Sequence, residues 1–363
     1  MEILGGGGLF KMKAVILSAG YGTRLKPLTD NIAKPLVKIL GIPVIEYTLN
    51  FLNINGIKEV YINRHYFPEQ FKHIKIPTGM KITFSTEENI LGTLGGLMSF
   101  KEYLLDDDFV VVNGDVIFNF DLKQAYHAHK SKKNISTMIL RNKERPDVSS
   151  VYIDDFSNVV HIGQRDDEIY KNYMFSGFHI IDPSFFSFVK ESKIPSCIVR
   201  DFYIPYINGG GRINGITPNE GSFFWMEVGN LKGYLNANLN MLSMLSKYKL
   251  DHQLESFVST RWFNNKDKKI VESVEGIWLG DGYYIDHDAT ILPPVFIGSG
   301  SKIMGKCTVG PNVVIGESVL VSEGSQISDS VLLDNTRIST SSLVEKMIVA
   351  PSFVFNSNDG PIN

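Results

Sequence analysis

A glycine-rich turn near the N-terminus carries residue types suited to phosphate chemistry. The segment "SAGYGTRL", Ser18 to Leu25, follows a short apolar run, and backbone N–H groups in such a turn point outward and favour anions. Arg24 and Lys34 add two cations, which a departing pyrophosphate requires as negative charge builds on its oxygens. The segment fits neither G-x-G-x-x-G nor G-x-x-x-x-G-K-[ST]. Alone, it is equally typical of an ordinary glycine turn in an α/β protein.

A carboxylate follows a buried strand further along the chain. "VVVNGDVIF" places Asp115 shortly after three consecutive valines, and an aspartate exposed at a strand end is a natural hard ligand for Mg²⁺. Many such aspartates only cap turns. On the residues alone, a metal site and a turn cap both remain open.

The elements that must position these residues alternate between strand and helix. "KAVILSAG" and "EVYIN" are apolar and β-rich, and "PVIEYTLNFLNINGI" between them has apolar residues at helical spacing. The alternation recurs through "KITFS", "LGGLMSFKEYL" and "DFVVVNGDVIF", which predicts an α/β fold with a doubly wound, mostly parallel sheet covered by helices on both faces. Such sheets bind ligands at the carboxyl ends of their strands, where we expect Gly20, Gly22 and Asp115.

The second half of the chain changes to a six-residue period. Ten aliphatic residues recur at this spacing, and small or β-branched residues stand four positions after most of them. The aliphatic residues are Leu279, Ile285, Ile291, Ile297, Ile303, Val309, Ile315, Val321, Ile327 and Leu333. This repeat predicts short parallel strands coiled into a prism, with the aliphatic side chains pointing inward.

The glycine-rich turn belongs to a longer motif. Leu17 to Leu36 closely resembles the signature of the sugar-1-phosphate nucleotidyltransferases, L-[AS]-[AG]-G-x-G-T-R-L-x-P-L-T followed by P-K-P. It departs at one position, where Ala33 replaces the proline before the lysine. The resemblance implies catalytic roles for Arg24 and Lys34. It also implies that the nucleotide is bound by Ser18, Ala19, Gly20, Gly22 and Thr23.

The segment "STEENILGTLGGL" is similar to the part of the family that reads the nucleotide base. The resemblance implies that Gly92 and Thr93 lie near the base edge, together with Glu87. A polar loop after a strand explains Glu87 equally well, and a Gly-Thr pair before a helix is also a good N-cap.

The resemblance extends to a metal-binding pair. In the family, the aspartate corresponding to Asp115 binds the metal together with the aspartate of a distant W-x-D-x-G-T motif. The matching segment here is "FWMEVGNLKGYLNAN", in which Glu227 replaces the aspartate and Asn230 replaces the threonine. The resemblance therefore implies Mg²⁺ on Asp115 and Glu227, although glutamate is one methylene longer and the octahedral geometry of Mg²⁺ is demanding.

The sugar side departs further from the family pattern. "VVHIGQRDDE" occupies the place of E-K-P, whose glutamate holds the sugar and whose lysine holds its phosphate, so Gln164 and Arg165 take those positions. Glutamine still hydrogen-bonds hydroxyls and arginine still binds phosphate, while an exposed loop charge is the alternative for Arg165. "FSGFHIIDP" resembles the strand that closes the sugar pocket, which makes Gly177 a candidate backbone contact.

The combined patterns imply an organisation for the whole chain. We expect a Rossmann-like nucleotidyltransferase domain at 12–245 and a left-handed parallel β-helix of hexapeptide repeats at 271–355, an arrangement known in the mannose-1-phosphate guanylyltransferases of the family. A linker at 246–270 would join them. Residues 1–11 and 356–363 would be terminal tails.

The resemblance implies transfer of a nucleotidyl group from a nucleoside triphosphate to a sugar 1-phosphate, with GTP and mannose 1-phosphate favoured. Thymidylyl or uridylyl transfer to glucose 1-phosphate or an amino-sugar phosphate is the close alternative. A regulatory subunit that binds nucleotide sugars without turnover would explain the substitutions at Gln164, Arg165, Glu227 and Asn230. An acyltransferase site on the β-helix would need a histidine, and only His287 is available in the repeats.

Composition argues against several kinds of partner. With 36 basic and 39 acidic residues and a net charge of −3, the chain has no basic excess for nucleic acid. No apolar stretch approaches the roughly 20 residues that span a bilayer, so we expect no membrane contact. The widely separated Cys197 and Cys307 predict neither a disulfide framework nor a zinc site and fit the cytoplasm. The flat faces and open coil ends of a β-helix favour a homo-oligomer.

Overall fold

The computed structural model describes residues 12–142, 149–165, 169–190, 193–218, 223–247, 254–258, 270–358 and 360–362. The chain divides into two compact units. The first contains the described residues of Met1–Tyr21, Ile32–Leu36 and Ile45–Trp225, and the second those of Gly22–Asn31, Val37–Val44 and Met226–Asn363. The predicted tail at 1–11 and most of the predicted linker at 246–270 lie outside the described residues.

The elements up to the end of the last long helix follow in chain order. They are β1 (Lys13–Leu17), β2 (Lys38–Ile39), β3 (Ile42–Pro43), α1 (Val44–Ile54), β4 (Glu59–Arg64), β5 (Lys81–Thr86), α2 (Gly92–Met98), β6 (Phe109–Asn113), β7 (Val116–Asn119), α3 (Leu122–Lys132), β8 (Ser136–Asn142), β9 (Ser150–Ile153), β10 (Val159–Gly163), β11 (Lys171–Ile181), α4 (Phe185–Phe188), α5 (Ile204–Asn208), β12 (Asn214–Ile216), β13 (Phe224–Glu227) and α6 (Leu231–Ser246).

The remaining strands are short. They are β14 (Ile270–Val274), β15 (Ile277–Gly280), β16 (Tyr284–Ile285), β17 (Thr290–Ile291), β18 (Val295–Ile297), β19 (Lys302–Ile303), β20 (Thr308–Val309), β21 (Val313–Ile315), β22 (Leu320–Val321), β23 (Gln326–Ser328), β24 (Ser330–Leu332), β25 (Arg337–Ile338), β26 (Leu343–Glu345), β27 (Met347–Val349), β28 (Val354–Asn356) and β29 (Gly360–Ile362). None of the described helices is long and apolar enough to cross a bilayer.

The first unit is built on a sheet with the strand order β10-β9-β11-β6-β1-β4-β5, and β8 pairs with β11 and β12. Strands β6, β1, β4 and β5 are mutually parallel, as predicted. Beyond β6 the sheet is mixed, because β11 runs antiparallel to β6, β8 and β9 while β12 pairs with β8 in parallel. The chain passes from β1 to β4 and β5 on one side and then to β6 on the other, and this reversal of strand order creates a crevice at the carboxyl ends.

Two hydrophobic cores cover the two faces of this sheet. Ala14 and Ile16 of β1 pack in one core, which includes Leu49 of α1, while Val15 packs in the other, which includes Leu97 of α2. Successive side chains of a strand point to opposite faces, so an unbroken apolar strand such as "KAVIL" requires a helix on each side. The prediction of helices on both faces is confirmed.

The second unit is a parallel β-helix with three strand faces. The faces have the orders β14-β15-β18-β21-β24-β27-β28-β29, β16-β19-β22-β25 and β17-β20-β23-β26. The predicted aliphatic positions from Ile297 to Ile327 are at most 1% exposed and form the interior. The small and β-branched positions between them, such as Ser301 and Cys307, are buried as well. The coiled-strand prediction is confirmed.

One predicted inward position is wrong. The six-residue count places Leu333 inside, but Ile315 pairs in register with Leu332, which is fully buried, while Leu333 is only half-buried. The corner after Ile327 is one residue shorter than the equivalent corner after Val309. Asp329 in this corner has a φ of 48°, a left-handed conformation that turns the chain tightly.

The largest face of the β-helix is buried on both sides. Val314 and Val331 point away from the interior yet are 4% and 2% exposed, because α6 packs against β21 and β24. Phe296 of β18 is also 2% exposed, and its ring lies beside Gly41. At its two ends this face is extended by antiparallel strands, β14 at one and β28 with β29 at the other. Residues 360–362, assigned to a tail by the sequence analysis, therefore form a strand.

The short hairpin of β2 and β3 belongs to the second unit. The Lys38 ammonium lies 2.8 Å from the Asp334 carboxylate of the β-helix, and the backbone N–H of Leu40 donates to Asn238 Oδ1 of α6 at 3.0 Å. Burial disfavours the charged form of Lys38, but the Asp334 carboxylate outweighs it, so the pKa of Lys38 is raised. These contacts explain why the hairpin groups with α6 and the β-helix.

Candidate active site

The first unit contains a cavity of about 330 Å³ at the carboxyl ends of β1, β4 and β6. These ends are level, because Leu17 of β1 pairs in register with both Asn63 of β4 and Asn113 of β6. Seven residues predicted for the site line the cavity. They are Ser18, Ala19, Gly20, Lys34, Gly92, Thr93 and Asp115.

The start of the signature turn forms one wall. The Ser18 side chain is 5% exposed, and among the described residues its hydroxyl has no hydrogen-bond partner. Gly114 approaches it so closely that a Cβ there would lie 2.5 Å from Ser18 Oγ. A Cβ on Gly20 would meet nothing within 4 Å. This wall therefore combines open backbone with a buried hydroxyl that is available to a polar ligand.

Lys34 and Asp115 form an ion pair at the cavity. The Lys34 ammonium contacts the Asp115 carboxylate, and the two side chains are 11% and 19% exposed. The lysine follows Ala33, whose backbone N–H donates to Gln70 Oε1 at 3.0 Å. A proline at that position has no N–H, so the substitution of the family's proline adds a hydrogen bond that helps to fix the lysine loop.

The segment predicted to read the base contacts the residues at 196–198. Gly92 has a φ of 78°, and a Cβ there would lie 2.3 Å from the carbonyl oxygen of Ser196. The Thr93 hydroxyl accepts a hydrogen bond from the Ile198 N–H at 2.9 Å, so it does not cap α2, whose N-cap residue is Leu91. Both cavity residues are thus locked against the segment at 196–198.

The predicted sugar-side residues do not line this cavity. Gln164 is exposed, and the Arg165 guanidinium lies over the Tyr170 ring at 4.9 Å from its centre. Gly177 has a φ of 83°, and a Cβ there would lie 2.7 Å from Nδ2 of Asn113. Gly177 therefore packs against Asn113, which lines the cavity.

Apart from Glu87, the remaining predicted residues lie in the second unit. Arg24 is 65% exposed, and one of its terminal nitrogens lies 3.9 Å from the Glu227 carboxylate. Gly22 has a φ of 68° and precedes a single 3-10 turn at Thr23–Leu25. Asn230 is the N-cap of α6, and its Oδ1 accepts from the Gly233 N–H at 2.8 Å. Asparagine and threonine both cap helices, so this departure from the family preserves a capping group.

His287 is 87% exposed, and its two ring nitrogens lie 3.1 Å from Asp286 and 3.3 Å from Asp288. Among the described histidine, cysteine, aspartate and glutamate side chains, these three form the group of three or more that lie close enough together to share a cation. The cluster lies on the surface of the β-helix, in contrast to the partly enclosed carboxylate of Asp115.

Six residues that line the cavity were not predicted from the sequence, and two of them have polar side chains, Asn63 and Asn113. Both are the polar residue at the end of a parallel strand beside β1. The signal was available, because "EVYIN" and "VVVN" each end an apolar run with asparagine. Glu87, which was predicted to bind the nucleotide, is 5% exposed and does not line the cavity.

Comparison with known proteins identifies the family. The family described as Nucleotidyl transferase matches residues 13–244. The chain belongs to the nucleotidyl transferase family. A second match, described as GMPPB C-terminal domain, covers residues 291–357 of this nucleotidyl transferase. The family predicted from the signature at Leu17–Leu36 is confirmed, and with it the assignment as a nucleotidyl-transferring enzyme.

Several relatives of this nucleotidyl transferase are similar over most of their length. A UTP–glucose-1-phosphate uridylyltransferase of Synechocystis is 27% identical over 93% of this chain and 87% of its own. Mannose-1-phosphate guanylyltransferase 1 of Arabidopsis thaliana is 26% identical over 93% and 86%. Among solved structures, a putative glucose-1-phosphate thymidylyltransferase from Bacillus anthracis, in complex with a sucrose, is 21% identical with a TM-score of 0.53, over 62% of this chain and 94% of that one. At that identity the structure supports the fold.

Proposed function

We propose that this nucleotidyl transferase joins a nucleoside triphosphate to a sugar 1-phosphate and releases pyrophosphate and a nucleotide sugar. The observation that carries the proposal is the convergence of Ser18, Lys34, Gly92 and Asp115 on one cavity. These residues come from four separate segments of sequence. They combine the start of a glycine turn of the kind that binds anions, a fixed cation, a closely packed glycine and a carboxylate, which together suit a nucleoside triphosphate.

The reaction needs positioning and charge stabilisation rather than a covalent intermediate. An oxygen of the sugar 1-phosphate would form a bond to the α-phosphorus while the bond from that phosphorus to the bridging oxygen of pyrophosphate breaks in line. The backbone of the turn beginning at Ser18 would hold the phosphates, and Lys34 would stabilise the charge on the leaving pyrophosphate. We also propose that Arg24 binds the triphosphate. Arg165 would bind the phosphate of the sugar 1-phosphate.

A divalent cation fits the chemistry of the carboxylates. Asp115 offers the oxygen ligands that Mg²⁺ prefers, and its carboxylate already forms an ion pair with the Lys34 ammonium. The resemblance assigns Glu227 as the second ligand, and in its own unit Glu227 likewise lies near a cation, Arg24. When bound, Mg²⁺ would neutralise charge that develops on the phosphate oxygens.

For the substrates we propose GTP and mannose 1-phosphate. The similarity to the GMPPB C-terminal domain and to a mannose-1-phosphate guanylyltransferase along most of the chain supports this choice. A uridylyltransferase acting on glucose 1-phosphate is the second candidate, and it is favoured by the comparable similarity to the Synechocystis protein.

The test is pyrophosphate release by the purified full-length chain with Mg²⁺. GTP, UTP, dTTP, CTP and ATP are each combined with the 1-phosphates of mannose, glucose, galactose and glucosamine. We expect release only when both substrates are present, fastest with GTP and mannose 1-phosphate, and abolished by chelation of the metal. Reactions that lack either substrate serve as the controls.

Two outcomes would overturn the proposal in different ways. Pyrophosphate release from a triphosphate alone would identify a hydrolase instead of a transferase. Silence across the panel, with nucleotide sugars still raising the melting temperature of the protein, would favour the regulatory-subunit alternative.

A further inference from the structure

Asn63 is a buried amide at the carboxyl end of β4, and it connects the two walls of the cavity. Its side chain is 2% exposed. Asn63 Oδ1 accepts a hydrogen bond from the backbone N–H of Ser18 at 2.7 Å. Its Nδ2 donates to Oε1 of Glu87, also at 2.7 Å. One side chain thus holds the first residue of the phosphate-side loop and a residue of the base-side segment.

Glu87 links Asn63 to the start of α2 through a second hydrogen bond. Its second oxygen, Oε2, accepts from the backbone N–H of Leu91 at 2.9 Å, and Leu91 directly precedes the cavity residue Gly92. The carbonyl oxygen of Glu87 is hydrogen-bonded to Nδ1 of His65 at 2.8 Å. Both carboxylate oxygens of Glu87 are therefore used to hold the protein's own backbone and Asn63, which explains why this carboxylate does not line the cavity.

The glycines of α2 leave room for this network. A Cβ on Gly96 would lie 2.4 Å from Nδ2 of Asn63 and 3.1 Å from Oε1 of Glu87. The segment "GTLGGL" therefore places helix backbone directly over the hydrogen bond between the two side chains. This packing keeps water from the pair and strengthens the bond.

We infer that Asn63 is a positioning residue that sets the spacing between the phosphate-side loop at Ser18 and the base-side segment at Leu91 and Gly92, acting through Glu87. The inference rests on the proposed nucleotide site. Position 63 needs an amide because the Ser18 N–H requires a hydrogen-bond acceptor and the Glu87 carboxylate requires a donor. A carboxylate at position 63 has only acceptors, so the hydrogen bond to Glu87 could not form.

This complementarity gives a test by paired substitution. In Asn63→Asp, two carboxylates face each other. In Glu87→Gln, one amide N–H faces a donor in either orientation of the new side chain. In the double variant Asn63→Asp with Glu87→Gln, the new amide donates to the new carboxylate, and all three hydrogen bonds are restored. Asn53→Asp, which adds the same charge on α1 beside Lys58, is the matched control.

We expect each single variant to raise the KM for the triphosphate about tenfold or more, the effect of an unmet buried hydrogen bond, with a smaller change in kcat. The double variant should return the KM to within about threefold of wild type, and Asn53→Asp should leave it unchanged. Loss of fold stability alone would reduce the folded fraction and so lower the apparent kcat, and it would leave the KM unchanged. Single variants with a wild-type KM, or a double variant worse than either single one, would overturn the inference.

The inference can also be tested by nucleotide binding, without turnover. If the wild-type chain releases no pyrophosphate with any substrate pair, the proposed function fails, and the four variants are compared by the rise in melting temperature that GTP, UTP or dTTP produces. The same order of variants is then expected. If Asn63→Asp does not fold alone, Glu87→Gln and the double variant carry the same prediction.

Discussion

At the scale of single residues, the ion pair of Lys34 and Asp115 brings together two groups that a nucleotidyl transfer would use separately. We expect Asp115→Asn to lower kcat about 100-fold or more, because the neutral amide neither binds Mg²⁺ well nor orients the lysine. The fold should persist, since asparagine has the same shape. Pyrophosphate release measures the effect.

The matched control for Asp115→Asn is Asp106→Asn. Asp106 is 82% exposed and lies 3.8 Å from Lys13, so this variant removes a carboxylate without touching the cavity. Its activity should equal that of wild type. Near-normal turnover in Asp115→Asn would remove the basis for the metal assignment.

Gly92 permits a second prediction at this scale. Alanine at position 92 would be strained by the φ of 78° and would also collide with the carbonyl oxygen of Ser196. Gly79 has almost the same φ, 79°, but open space around it, so Gly79→Ala measures the backbone strain alone, about 1 kcal/mol. We expect Gly92→Ala to lower the free energy of unfolding by clearly more and to raise the nucleotide KM. Equal losses of unfolding free energy in the two variants would contradict the close contact.

At the scale of elements, the sequence departure at Asn230 concerns a helix end. Asn230 caps α6 through its contact with the Gly233 N–H. We expect Asn230→Ala to lower the free energy of unfolding by about 1 kcal/mol, and Asn230→Thr, which restores the family's residue, to stay within a few tenths. Urea denaturation measures both.

Asn240→Ala is the control for the capping prediction, because it makes the same chemical change at an exposed position of the same helix. It should be neutral or slightly stabilising, since alanine is the better helix former. If Asn230→Ala were as stable as Asn240→Ala, the cap would contribute nothing and the replacement of threonine would need another explanation.

At the scale of the whole molecule, His179 predicts how stability depends on pH. Its ring is fully buried in the first unit, hydrogen-bonded to the Tyr203 hydroxyl, and burial lowers the pKa of His179 to about 3. The unfolded chain has a histidine pKa of about 6.5, so the proton binds on unfolding. The stabilising contribution is complete above about pH 6.5 and is lost as the pH falls towards 3, by about 2 kcal/mol between pH 6.5 and 4.5.

The His179 prediction is checked by denaturant unfolding across that range. His179→Gln cannot take up a proton and should show a shallower loss of stability than wild type. Some slope should remain, because burial also lowers the pKa of His129. Identical pH profiles for wild type and His179→Gln would contradict the buried neutral histidine.

Local sequence determined much of this protein. The apolar strand "KAVIL", the helical spacing in α1 and the six-residue repeat each depend on neighbouring residues, so their periods can be read along the chain. The signature from Leu17 to Leu36 likewise contains four of the predicted residues that line the cavity, Ser18, Ala19, Gly20 and Lys34. These predictions are the ones that strand pairing and burial agree with.

Only the tertiary structure decided what depends on strand order and on residues far apart. The two asparagines that end "EVYIN" and "VVVN" can be read in the sequence, but Asn63 and Asn113 line the cavity only because β4 and β6 flank β1. Glu87 turned inward because Asn63, 24 positions earlier, offers it a donor. The shortened corner at Asp329 and the strand at 360–362 depend on pairing with the preceding coils. Each outcome follows from contacts between distant segments, which form only when the chain is folded.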